Sequence, residues 1–120
     1  MTQTWILVGD GSHARLFQSD DATKPWHLVR TLQREHSREK TGDSHEDAGE
    51  HGFARHLVGE LETARQAGSF RRLVLVAPPK FLGQVRGELK APLAACVVDS
   101  VDADYTQMAA ADLPKHVTLG

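Results

Sequence analysis

Hydrophobic residues cluster along this chain in short continuous runs and in one stretch of helical spacing, with polar connections between them. Trp5-Ile6-Leu7-Val8 is too short for a helix and rich in β-formers, which predicts a strand buried on both faces. Asp10-Gly11 follows, a pair that favours the positive φ values of a tight hairpin turn, so His13-Ala14-Arg15-Leu16-Phe17 is expected to return antiparallel with Ala14 and Leu16 on one face. After the polar connection Gln18 to Pro25, Trp26 to Leu32 predicts a third strand and completes a meander.

From Arg34 to Glu50 the pattern lapses into a polar segment punctuated by Gly42, Asp43, Ser44 and Gly49, which reads as an exposed loop. Helical periodicity then sets in: Phe53, Ala54, Leu57, Val58, Leu61 and Ala64 form one stripe, and Gly68 is a stop signal. Leu73-Val74-Leu75-Val76-Ala77 is the purest strand signal and predicts a central position covered on both sides. Pro79 suits the first position of a second helix carrying Phe81, Leu82, Val85 and Leu89 inward, and Ala91-Pro92 ends it. Ala94 to Val98 supplies a fifth strand, and Met108 to Val117 a short terminal helix. The predicted order is βββαβαβα, an α/β fold on a mixed five-stranded sheet, with residues 1–120 forming one domain interrupted by the polar loop at about 34–50.

Composition narrows the function classes. At 120 residues, 40% hydrophobic and 25% charged, the chain has the make-up of a globular domain with one modest core. A net charge of -2 gives no whole-chain attraction for nucleic acid. Cys96 is the single cysteine, so neither an intramolecular disulfide nor a cysteine-based zinc site can form, and no disulfide-linked partner is expected. The opening segment lacks the basic flank of a signal peptide, and no apolar stretch is long enough to span a bilayer. The expectation is a cytoplasmic protein without membrane insertion.

Several segments together resemble the bacterial host-attachment family, proteins required for attachment to host cells. They are Trp5-Ile6-Leu7-Val8-Gly9-Asp10-Gly11 with His13-Ala14-Arg15-Leu16-Phe17, then Phe53-Ala54, and above all Phe70 to Gly83 around Ala77-Pro78-Pro79-Lys80-Phe81. Asp104-Tyr105-Thr106 and Leu113-Pro114-Lys115-His116-Val117 continue the likeness. The resemblance implies the ribonuclease-H-like fold of the release-factor middle domain. It carries over no catalysis, because the Gly-Gly-Gln that such a release factor uses occurs nowhere in this sequence.

Candidate chemistry is sparse. His36, His45, Glu46, Glu50, His51 and His56 offer divalent-metal ligands, but His51 and His56 are five apart and share no helix face; a solvated segment with acids at a helix start explains them without a metal. Asp10 on the first strand is one element of two-metal nuclease chemistry, with Glu60, Asp99 or Asp102 as conceivable partners, yet a turn role explains it equally well. Ser12 and His13 beside Asp10 point to alternate faces and make no triad. Gly9-Asp10-Gly11 lacks the third glycine of a dinucleotide fingerprint. No catalytic residue, metal ligand or cofactor is assigned.

Binding residues are sought instead at the exit of the fourth strand, because ligands of open α/β sheets gather beyond the carboxyl ends of strands. Pro78, Pro79, Lys80 and Phe81 lie there, the alternative being a rigid connection with Phe81 in the core. Arg71 and Arg72, with Lys80, Arg86 and Lys90, suggest a basic edge. The sequence is therefore read as a non-enzymatic interaction protein acting indirectly in attachment through a protein or nucleic-acid partner. The alternatives are a translation-associated module binding RNA or the ribosome, and a metal-dependent nuclease.

Overall fold

A computed structural model describes residues 3–20, 25–34 and 46–117. Its elements in chain order are β1 (Thr4–Gly9), β2 (His13–Ser19), β3 (His27–Gln33), α1 (Glu46–Gln66), β4 (Arg72–Ala77), α2 (Pro79–Glu88), α3 (Leu93–Cys96), β5 (Val97–Asp102), a 3-10 turn at Ala110–Asp112 and α4 (Leu113–His116). The five strands form one sheet in the order β3-β2-β1-β4-β5. The meander β1-β2-β3 is antiparallel, whereas β1, β4 and β5 run parallel, so the sheet is mixed as the sequence implies.

The strands read as buried on both faces are β1, the central strand, and β4 beside it. Ile6, Val8, Val74 and Val76 lie on one side with no exposed surface, and Trp5, Leu7, Leu73 and Leu75 lie on the other. Alternation decides which layer covers which residue. The second set meets Phe53, Ala54, Leu57 and Leu61 of α1 and Phe81, Leu82 and Val85 of α2, together with Ala14 and Leu16 from β2. The first set is covered by a thinner layer, Leu113 and Val117 of the C-terminal arm, with Phe17 and Trp26 at its flank.

Four local features differ from the sequence pattern. Glu46 to Glu50 belong to α1, inside the stretch read as loop. The apolar Ala94-Ala95-Cys96 run belongs to α3, and the fifth strand is displaced to Val97–Asp102. The causes differ: Glu46 to Glu50 carries no apolar periodicity to announce a helix, whereas a short apolar run such as Ala94-Ala95-Cys96 does not distinguish a helical turn from a strand. Trp26 precedes β3 and rests on Phe17, with ring centroids 5.7 Å apart, rather than forming a rung. Asp10-Gly11 does not take the positive φ values of a primed turn, since Gly68 is the one positive-φ residue among those described. The stop at Gly68 is built as expected: its N–H reaches the Arg65 carbonyl at 3.0 Å and that of Ser69 reaches Ala64 at 2.9 Å, the paired bonds of a Schellman cap.

Candidate functional site

Because β1, β4 and β5 are parallel, their carboxyl ends open on one edge of the sheet, where Asp10, Pro78 and Ala103 follow the strands. Asp10 stands at this edge, which also carries Asp102 at the end of β5 and Asp104 just beyond it. Its Oδ1 accepts the backbone N–H groups of Ser12 and His13, both at 2.8 Å, and its own N–H donates to the His13 carbonyl at 2.8 Å. A side chain that mimics a backbone acceptor in this way stabilises the turn without left-handed residues. Helix α1 begins over the same turn: a methyl group on Gly11 would come within 2.6 Å of the Glu50 side chain.

On the other side of the turn lies the segment after β5. Thr106 Oγ1 donates its one proton to Asp104 Oδ1 at 2.6 Å and stands 3.3 Å from Asp10 Oδ2, which brings the C-terminal arm against the β1 exit. Arg15 fastens the arm further. Its Nη2 donates towards the carbonyls of Tyr105, Thr106 and Met108 at 3.1, 3.0 and 2.9 Å, and its guanidinium lies 5.4 Å from the Phe17 ring centre. Partial burial pulls the Arg15 pKa below its ordinary value, since desolvation disfavours the charge. Neither Arg15 nor Thr106 stood out as a site residue from sequence. A usable signal existed: Arg15 shares its strand face with Phe17, and an apolar residue there indicates that this face too is covered.

The residues singled out from sequence do not form one patch. Arg71 and Arg72 lie at the start of β4, where both N–H groups reach the Gln3 carbonyl, while Pro78, Pro79 and Lys80 lie at its exit. The six residues of β4 keep the two groups about 20 Å apart. Arg86 stands between these levels and donates to Ser100 Oγ of β5 at 3.1 Å. Pro79 and Lys80 are exposed, but Phe81 is 3% exposed and stacks on Phe53 at 5.9 Å, so it is a core residue and offers a partner no surface.

The histidine and acidic residues also disperse. His36 and His45 lie outside the described residues, as does the side chain of Glu46. His51 Nε2 is 3.0 Å from Glu88 Oε2, with Arg55 3.6 Å from the same carboxylate. Glu60 is held by Arg30, with His56 at 4.0 Å. Asp99 accepts the Ser100 N–H at 2.8 Å. Among the described residues no three His, Cys, Asp or Glu side chains converge as metal ligands.

The model of the family described as "Protein required for attachment to host cells" matches residues 5–50 and 34–117. The chain belongs to that family. The host-attachment segments thus include both sides of the contact just described, the Asp10 turn with Arg15 and the arm residues Tyr105 to Met108. No curated protein sequence matches the chain. Among solved structures, an archaeal protein shares the fold at a TM-score of 0.59 and 13% identity over 88% of this chain and 31% of its own. The archaeal translation termination factor aRF1 does so at 0.56 and 12% identity, over 97% of this chain and 35% of that one. A Ppx/GppA phosphatase of Aquifex aeolicus follows at 0.50 and 14% identity, over 85% and 36%. The chain therefore spans roughly a third of each of these proteins. At such identities the likeness establishes the release-factor-like, ribonuclease-H-like fold and nothing about activity.

Proposed function

We propose that this host-attachment protein is a non-enzymatic binding module, which contributes to attachment indirectly by contacting another protein from within the cell. The observation that carries the reading is the state of Asp10. Its Oδ1 accepts two backbone N–H groups of its own turn, so this acid serves the backbone. What the edge presents instead is the exposed corner Pro79-Lys80, set rigidly by Pro78 in an extended conformation and by the first turn of α2.

Affinity capture from the native cell with the wild-type chain, Lys80→Glu and the Arg71→Glu, Arg72→Glu double variant tests this. Loss of one protein partner with Lys80→Glu alone is the expected result. Undiminished capture by all three sinks the assignment of the corner.

A second reading is a module that binds RNA or the ribosome, favoured by the likeness of fold to aRF1 across nearly the whole chain. Arg71, Arg72 and Arg86 would supply its phosphate contacts. Cosedimentation with ribosomes that falls steeply as salt is raised supports this reading over the first, because phosphate contacts release counterions.

A further inference from the structure

Helix α2 turns a positive and flat side to solvent. Phe81, Leu82 and Val85 occupy its inner arc, so at about 3.6 residues per turn Lys80, Gly83, Arg86 and Gly87 fall on the opposite arc, and all four are exposed. Gly83 and Gly87 run along the middle of that face, where an added methyl group meets no atom within 4 Å. Lys80 and Arg86 flank them, about 9 Å apart along the axis, and exposed Lys90 follows the end of the helix.

The helix supplies this face with no carboxylate. Glu88, the one acid of α2, turns towards α1, where its carboxylate lies 3.0 Å from His51 Nε2 and 3.6 Å from Arg55 Nε. Arg86 is fixed at Nη1 by its bond to Ser100 Oγ, and its Nε and Nη2 form a fork of the kind that takes a carboxylate. Two chemistries could meet a positive helix face, an acidic protein segment or a nucleic-acid backbone, and the observations favour the first. Single strands of nucleic acid are held by rings on which bases stack as well as by cations, and Phe81, the aromatic residue of α2, is buried against Phe53. Glycines at the centre of a helix face admit a second helix at close range, because the side chains at the contact set the distance between axes.

We infer that the outer face of α2 docks an acidic helix of the protein partner, with carboxylates on Lys80 and Arg86 and its backbone close to Gly83 and Gly87. Asp99 and Asp102, on the edge strand β5, repel an acidic chain that strays over that strand, which keeps the approach on α2. The inference rests on the reading of this protein as a module that contacts another protein through the Pro79-Lys80 corner, and it adds the chemistry of that partner and the helix along which it lies.

Titrating the full chain with a Glu-rich helical peptide, its Lys-rich counterpart and oligouridylate, followed by amide NMR at low and high salt, tests the face. The expected result is a saturable shift confined to residues 80–90 with the acidic peptide, weakened by salt, and a far weaker response to the other two. The decisive variant is Gly83→Leu with Gly87→Leu, which leaves every charge in place, adds side chains only at open positions and raises helix propensity; it is expected to weaken the acidic peptide about tenfold. Absence of saturation with the acidic peptide, unchanged affinity in the glycine variant, or tighter binding of oligouridylate overturns the proposal. Should one of these occur while Lys80→Glu still abolishes capture of the cellular partner, the corner stands as a contact and only the acidic helix falls.

Discussion

The Arg15 guanidinium donates to the Met108 carbonyl at 2.9 Å across 93 residues of chain, and the same nitrogen also reaches the carbonyls of Tyr105 and Thr106. One side chain of β2 thereby holds the segment that lies over the second face of the sheet. Hydrogen bonds from a charged donor are each worth about 1.5–3 kcal/mol, and three sharing one nitrogen are not additive. Arg15→Met keeps the length and apolar stem but leaves three carbonyls without their donor. It is expected to cost about 2–4 kcal/mol in urea unfolding and to raise amide exchange selectively in residues 104–117. Uniform exchange across the sheet would show that the arm is held by its apolar contacts alone.

The β4 exit divides into an inner and an outer half. Phe81 stacks on Phe53 under α1, and truncation of a buried aromatic typically costs about 3–5 kcal/mol, so Phe81→Ala is expected to lower the unfolding midpoint strongly. Lys80 one position earlier is exposed, and Lys80→Ala is expected to change stability by about 0–1 kcal/mol. Chemical denaturation of the two variants separates the halves. Similar losses in both would mean that the corner is part of the core after all.

These two sites show what the sequence could and could not reveal. Double burial of Trp5 to Val8 and Leu73 to Ala77 leaves a continuous apolar signature, and the helical stripe from Phe53 to Ala64 is equally plain, so the order of elements and the mixed five-stranded sheet followed from pattern. The start of β5 did not, because Ala94-Ala95-Cys96 fits a helical turn as well as a strand. The placement of Arg15 against Tyr105 to Met108 was hidden for another reason: it is a contact between segments far apart in sequence, and neither segment alone specifies it. Arg71 and Lys80 illustrate the converse error. They are near in sequence, but an extended strand carries them to opposite ends of the sheet.

Stability should weaken in acid in part through Glu62. Arg65 donates to it at 2.9 and 2.8 Å and Gln66 at 2.8 Å, and these bonds hold its carboxyl at about 2 instead of the ordinary 4.5. Glu88 is lowered as well, first by its hydrogen bond with His51. A carboxyl depressed in the folded state stabilises fully above its unfolded pKa, and the contribution is lost as protons bind on the way down to the folded value. The window therefore runs from about pH 4.5 to about pH 2 for Glu62. Both carboxylates touch solvent, so the amplitude is small and shrinks with salt. In Glu62→Gln, the thermal midpoint should fall less steeply through that window than in the wild type; identical slopes would show that the Arg65 pairing adds nothing to folding.

Two glycines of the α1 region should respond in opposite directions to the same change. At Gly68 an added methyl group meets no atom within 4 Å, so space is not the obstacle; the obstacle is φ of +79°, where an L side chain crowds its own backbone. Gly68→Ala is expected to cost about 1–2 kcal/mol. Gly59 lies inside α1 with equally open surroundings and no positive φ. There the methyl group removes backbone freedom from the unfolded chain without strain in the helix, and Gly59→Ala should stabilise by about 0.5–1 kcal/mol. Paired denaturation curves decide the matter because both substitutions add the same atoms to open positions: a shift of equal sign in the two would mean that backbone conformation is not what distinguishes them, and the Schellman cap at Gly68 would lose its energetic basis.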